Sequence, residues 1–147
     1  MRIVDTRQLY GWSAGMIVGI DHIELIVRDV DEFVEFYKKL GFKLLSRTEH
    51  HGGSAEMQLP GDNQPIFEIH TVMGEENPGI NHISFKVIDI DKTYEDLVAK
   101  GVNTFYKPPH PSPSTGRRNV LLRDPDGWRV QLSDSRRTDY KKTEGDA

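Results

Sequence analysis

The stretch Gly19-Ile20-Asp21-His22-Ile23 returns as Gly79-Ile80-Asn81-His82-Ile83, and the two copies run on without a gap to Gly41 and Gly101. Nine pairs coincide: Gly19/Gly79, Ile20/Ile80, His22/His82, Ile23/Ile83, Val27/Val87, Asp29/Asp89, Asp31/Asp91, Glu35/Glu95 and Gly41/Gly101. Such self-similarity marks one supersecondary unit used twice. It also sets one histidine at the same point of each unit. Packing the units about a pseudo-twofold axis would bring those histidines together, as the start of a metal site.

Each copy reads as a strand followed by a helix. In the first, Ile23, Leu25 and Val27 form one apolar face and His22, Glu24 and Ile26 the other. Asp29 is placed as an N-cap with Glu32 three residues on. Phe33, Phe36, Tyr37 and Leu40 supply an i, i+3, i+4, i+7 stripe, and Gly41 ends the helix in a left-handed turn. Short strands fit 43–50, 54–59 and 66–72, punctuated by Gly52-Gly53 and Pro60-Gly61-Asp62-Asn63.

In the second copy the strand is 80–87, with Ile83, Phe85 and Val87 inward. Asp89 caps a helix carrying Ile90, Tyr94, Leu97 and Val98, which Gly101 stops. A weaker strand lies near 104–106. The segment from Lys107 to Gly116 holds four prolines, which forbid a central strand; a lid over the cleft and a rigid connector are the two readings. Strands at 119–123 and 128–133 flank the turn Asp124-Pro125-Asp126-Gly127. Each half is therefore βαβββ. The fold class is α+β: two such modules related by a pseudo-twofold, in mixed sheets that curl around a cleft.

The bulk properties suit this. A chain of 147 residues fits one domain. We expect an N-terminal extension at 1–16, one domain at 17–134 (modules 17–75 and 79–134), and a charged mobile tail at 135–147. A net charge of -4 without a basic block speaks against nucleic acid and anionic membrane as partners. The absence of cysteine excludes disulfides, thiolate nucleophiles and Cys-type zinc sites. No apolar run reaches the ~18 residues of a membrane span, and no secretory signal is visible. The expected setting is cytoplasmic.

By alternation, the cleft-facing side chains include His22 and His82 on the first strands. Ile66, Glu68 and His70 share a face of the last strand of the first half; Arg129, Gln131 and Ser133 do so in the second. The constellation is His22, Glu68, His82 and Gln131. Two imidazoles and a carboxylate suit a borderline divalent ion such as Zn, Ni, Co, Mn or Fe, with an amide oxygen as a weaker fourth ligand. Each residue also has a plainer reading: a hydrogen-bonded strand histidine, an exposed glutamate, a solvated amide. His70 neighbours the site and serves either as a substrate contact or as a surface residue. His50 and His51 read as loop residues. Arg117 and Arg118, with Arg129, are candidates to clamp a substrate carboxylate or phosphate, with simple solvation as the plainer reading.

Four motifs carry a family resemblance: Asp21-His22-Ile23-Glu24-Leu25, Phe67-Glu68-Ile69, Asn81-His82-Ile83-Ser84-Phe85, and the run Asp124–Leu132. Together they resemble the vicinal oxygen chelate superfamily over about residues 17–134. That superfamily includes glyoxalase I, methylmalonyl-CoA epimerase, fosfomycin-resistance proteins, extradiol dioxygenases and bleomycin-resistance proteins. The resemblance implies paired βαβββ modules around a metal cleft, commonly in a homodimer. In the glyoxalase and epimerase branches the ligand positions match His22, Glu68, His82 and Gln131. Most metal-dependent members carry glutamate where this chain has Gln131, which weakens the dioxygenase and fosfomycin readings. Epimerase-like members use two histidines, a glutamate and a glutamine, with the amide at the position of Glu68. This chain holds the same four side chains with amide and carboxylate exchanged.

The implied activity is that of a metal-dependent lyase or isomerase acting on a small α-oxygenated carbonyl compound, by proton abstraction and enediolate stabilisation. Glu68 is the candidate base, because an amide at Gln131 cannot take a proton near pH 7. A second group, if the reaction needs one, comes from Glu24, Glu49, Glu56 or His70. The alternative is a non-catalytic small-molecule-binding protein of the bleomycin-resistance type.

Overall fold

The structure, a computed structural model, describes residues 17–49, 52–112 and 116–134. The expectations for 1–16, 135–147, His50 and His51 lie outside these residues. Strands β1 (Ile17–Val27), β2 (Lys43–Thr48), β3 (Ser54–Gln58) and β4 (Ile66–Thr71) form the first half with helix α1 (Val30–Lys39). Strands β5 (Gly79–Val87), β6 (Phe105–Pro111), β7 (Arg118–Arg123) and β8 (Arg129–Asp134) form the second with helix α2 (Ile90–Ala99). The two βαβββ halves share one mixed eight-stranded sheet, ordered β2-β3-β4-β1-β5-β8-β7-β6. The antiparallel pair β1·β5 joins them at its centre. On either side β1 runs parallel to β4 and β5 parallel to β8. The arrangement repeats about that central pair, as the sequence repeat requires.

Both helices start and stop as the residues dictate. Asp29 Oδ1 accepts from Glu32 N, and Asp89 Oδ1 from Lys92 N, each at 3.0 Å. At the other end Gly41 and Gly101 adopt φ of 97° and 89°. Phe42 N then reaches Tyr37 O, and Val102 N reaches Leu97 O, closing Schellman turns that only a left-handed residue permits.

The buried helix face differs from the expected stripe by part of a turn. Val30, Phe33, Val34 and Tyr37 meet the sheet, while Phe36 and Leu40 stand 56% and 55% exposed. In α2 the equivalent set is Ile90, Thr93, Tyr94 and Leu97, and Val98 is exposed. Under α1 the core joins Val27, Ala55, Met57 and Ile69; Phe33 stacks on Tyr37 with centroids 4.2 Å apart. Under α2 it joins Val87, Val120 and Leu132.

The proline segment also differs from expectation. Strand β6 continues through Pro108, Pro109 and Pro111 as the outermost strand of its end of the sheet. Its register with β7 breaks between Lys107 and His110, where Pro108 and Pro109 sit. An edge strand with a bulge is where residues lacking an N–H donor can be accommodated.

Candidate metal and catalytic site

On the sheet face opposite the helices, a pocket of about 180 Å³ is lined by His22, Glu24, Glu68, His82, Ser112, Arg117, Asn119, Gln131 and Ser133. All four residues singled out by alternation therefore reach one cavity. His22 Nε2 lies 3.2 Å from His82 Nε2 and 3.5 Å from Glu68 Oε2. Gln131 Oε1 is buried and has no hydrogen-bond partner among the described residues. Among those residues no three His, Asp, Glu or Cys side chains stand as a ready cluster for an ion. The convergence is of two imidazoles, one nearby carboxylate and one amide.

Two bulges aim the histidines. Along β1 and β5 the register passes from Ile20↔Phe85 to His22↔Ser84, and from Glu24↔His82 to Leu25↔Ile80. Asp21 and Asn81 are the extra residues. A bulge breaks strict alternation and re-aims a side chain, so each histidine meets the residue before it. His22 Nδ1 contacts Asp21 Oδ2 at 2.7 Å. His82 Nδ1 lies 2.9 Å from Glu24 Oε2, with the Asn81 amide alongside. Oriented to satisfy its neighbours, that amide donates to His82 Nδ1 at 2.7 Å and to Glu24 Oε2 at 3.0 Å, and accepts from Arg129 Nη1 at 3.0 Å.

A carboxylate only accepts, so His22 carries its proton on Nδ1 and presents a lone pair on Nε2, while His82 Nδ1 stands between the Glu24 carboxylate and the Asn81 amide. The two Nε2 atoms, 3.2 Å apart, are close enough to share a proton or a cation between them.

Two carboxylates beside the histidines, Asp21 and Glu24, are held ionised. Burial pushes Asp21 up, but hydrogen bonds from His22 and Arg117 and the Arg117 charge outweigh it and leave the group well below the usual carboxylate range. Burial likewise raises Glu24, and the contact with His82, together with the positive charge that His82, His70 and His22 carry when protonated, brings it below its ordinary value.

Two of the weaker candidates, Arg117 and His70, are placed differently from their plainer sequence readings. Arg117 is not a solvated loop residue: it is 6% exposed, and its guanidinium grips Asp21 through both Nη atoms and donates to Asp134 O. Arg118 pairs with Asp91 on the surface at 2.6 Å. His70 is buried rather than superficial; its Nδ1 donates to Thr71 O at 2.9 Å and its Nε2 stands 3.5 Å from Glu24 Oε1. Arg129 lines an adjoining, larger pocket with Ile80, Arg123 and Trp128. Asp21 and Asn81 were missed as site residues because alternation points them away from the cleft. Their signal was the repeat itself, which sets a hydrogen-bonding residue before each histidine.

The sequence profile of the Glyoxalase/Bleomycin resistance protein/Dioxygenase superfamily matches residues 19–132. The chain belongs to this superfamily. It is 33% identical over 124 residues to YraH and 29% identical over 126 residues to YwkD, both uncharacterized proteins of Bacillus subtilis (strain 168). Those alignments cover 75% and 80% of this chain and 93% and 97% of the relatives. Among solved structures, methylmalonyl-CoA epimerase from Mycobacterium tuberculosis superposes with a TM-score of 0.68 at 20% identity, covering 85% of this chain and 93% of that one. A methylmalonyl-CoA epimerase in complex with methylmalonyl-CoA and NH4+ gives 0.64 at 26% identity, covering 82% and 96%. The glyoxalase-type fold expected from the residues is thus the fold of the family.

Proposed function

We propose that this superfamily member is a divalent-metal-dependent isomerase of the glyoxalase/epimerase type, acting on a small α-oxygenated carbonyl compound. The observation that carries the reading is the facing pair of imidazole Nε2 atoms, with Glu68 beside them and the buried, partnerless Gln131 Oε1 in the same pocket. Two nitrogens on one tetrahedral zinc at about 2.0–2.1 Å lie about 3.3 Å apart; the observed separation of 3.2 Å fits that span. The donor set also fits chemically, since Asp21 and Glu24 supply the carboxylate–histidine contacts that usually fix metal-binding imidazoles. Similarity to methylmalonyl-CoA epimerases supports the isomerase class and leaves the substrate open.

In this reading His22, His82, Glu68 and Gln131 hold the ion, which when bound supplies Lewis-acid stabilisation of charge on a substrate oxygen. The remaining work belongs to the chain. Glu68, less buried than the histidines, takes the proton α to the carbonyl. A positioned base contributes ~10²–10⁴-fold. Glu24 and His70 form a second acid–base pair on the same side, 3.5 Å apart. Gln131, Ser133 and Asn119 across the pocket offer hydrogen bonds and no base; Ser133 Oγ donates to Asn119 Oδ1 at 2.9 Å. The polar lining disfavours apolar drug capture. The homodimer implied by the family is part of the same proposal.

The test is metal content of protein purified without chelator, followed by α-proton exchange in D2O monitored by NMR across a panel of α-hydroxy ketones, hemithioacetals and α-branched thioesters. Stoichiometric metal and metal-dependent exchange are expected. Protein that holds no divalent ion and exchanges no α-proton would overturn the reading.

A further inference from the structure

Behind His22, outside the proposed ligand set, lies a buried ion pair, whose Asp21 is absent from the pocket wall and whose Arg117 forms part of it. Asp21 and Arg117 are 3% and 6% exposed. Arg117 donates from Nη1 to Asp21 Oδ2 at 3.0 Å and from Nη2 to Asp21 Oδ1 at 2.8 Å, and Nη2 also donates to Asp134 O at 2.5 Å. Asp21 Oδ2 in turn accepts from His22 Nδ1 at 2.7 Å. Stability alone does not account for the pair. Burying two charges carries a desolvation cost that an apolar pair of similar volume would avoid, often without loss. What an apolar pair cannot provide is an acceptor of fixed orientation at His22 Nδ1.

The other half shows that the fold does not itself demand the pair. Asn81, at the position equivalent to Asp21, is neutral, and the carboxylate on His82 Nδ1 comes from Glu24, which lines the pocket. His82 is therefore supported by a group open to the cleft, and His22 by one closed off from it.

We propose that Asp21 and Arg117 act as a positioning pair: the bidentate guanidinium fixes the Asp21 carboxylate, which fixes the Nδ1–H tautomer and the ring orientation of His22, so that Nε2 is presented to a divalent ion. Arg117 also bridges Asp21 on β1 to the end of β8, linking the His22 ring to the strand that carries Gln131. The inference rests on His22 being a ligand, as proposed above, but its first test does not.

In metal-free protein, long-range proton–nitrogen NMR of the imidazoles reads the tautomer directly. His22 is expected to be protonated on Nδ1; finding it on Nε2 overturns the proposal in the wild type alone. The second test uses Asp21→Leu/Arg117→Met, which removes both charges and avoids stranding one of them. This variant is expected to fold, to show a mixture of His22 tautomers, and to bind Zn2+ or Co2+ about 10–100-fold more weakly. Arg117→Lys, which keeps the charge without the fork, should fall between it and the wild type. A folded double variant with wild-type zinc affinity and an unchanged tautomer overturns the proposal. Wild-type protein that binds neither ion would instead sink the functional reading, while the tautomer measurement still decides the positioning role.

Discussion

Glu68 and Gln131 occupy equivalent places in the two halves: Glu68 is the register partner of Glu24 on β1, Gln131 that of Ser84 on β5, and Ser84 is the repeat counterpart of Glu24. The same comparison sets Asp21 against Asn81 and His70 against Ser133. At these positions the acids and the extra histidine lie in the first half and neutral hydrogen-bonding groups in the second. The site is symmetric in backbone and polarised in charge.

Gln131→Glu is accordingly expected to tighten divalent-ion binding by ~10-fold or more, because an anionic ligand replaces a neutral one beside the same imidazoles. Competition with a chromogenic chelator measures it. Weaker binding would show that Gln131 lies outside the coordination sphere.

Glu68→Gln keeps shape but removes both the proposed base and the proposed anionic ligand, so exchange is read at saturating divalent ion. The expectation is a loss of α-proton exchange of about 10²–10⁴-fold with an unchanged melting temperature. Wild-type exchange rates in this variant would move the base assignment to Glu24 or His70, which face the same side.

Much of this was legible in the residues. The repeat fixed two βαβββ units, and alternation brought His22, Glu68, His82 and Gln131 to one face. Alternation failed at Asp21 and Asn81, because each sits in a bulge that no local signal announces. Arg117 was illegible for another reason: its partner is 96 residues away, and long-range pairing leaves no periodic trace. In α1 the large aromatic Phe36 drew the stripe toward itself, although the smaller Val30 and Val34 fit beneath the helix.

That rotated face makes neighbouring aromatics unequal. Tyr37 stacks on Phe33 and packs edge-on against Phe42 at 5.0 Å. Tyr37 is partly buried against the core, so Tyr37→Ala should cost about 2–3 kcal/mol, below the range for fully buried aromatics. Phe36 meets only the edge of Tyr37 among the described aromatic rings and is mostly exposed, so Phe36→Ala should cost about 1 kcal/mol at most. Urea unfolding compares them; equal losses would mean the exposed face of α1 is covered in solution, as in a dimer.

The depressed carboxylates set the acid limit of the fold. Asp21 and Glu24 titrate lower in the folded chain than in the unfolded one, so on acidification the unfolded state takes up protons first and stability falls with pH. Their contribution is complete above the unfolded values of about 4 and declines as pH drops below them toward the folded values. Unfolding free energy should therefore be nearly flat, as far as these groups are concerned, from pH 7 to about 5 and drop steeply below about 4. In Asp21→Leu/Arg117→Met the Asp21 share of that slope disappears. Urea midpoints at pH 7, 5, 4 and 3 test this. Parallel losses in wild type and variant would mean that Asp21 is not held ionised by Arg117 and His22, and the bonds drawn between them would need another explanation.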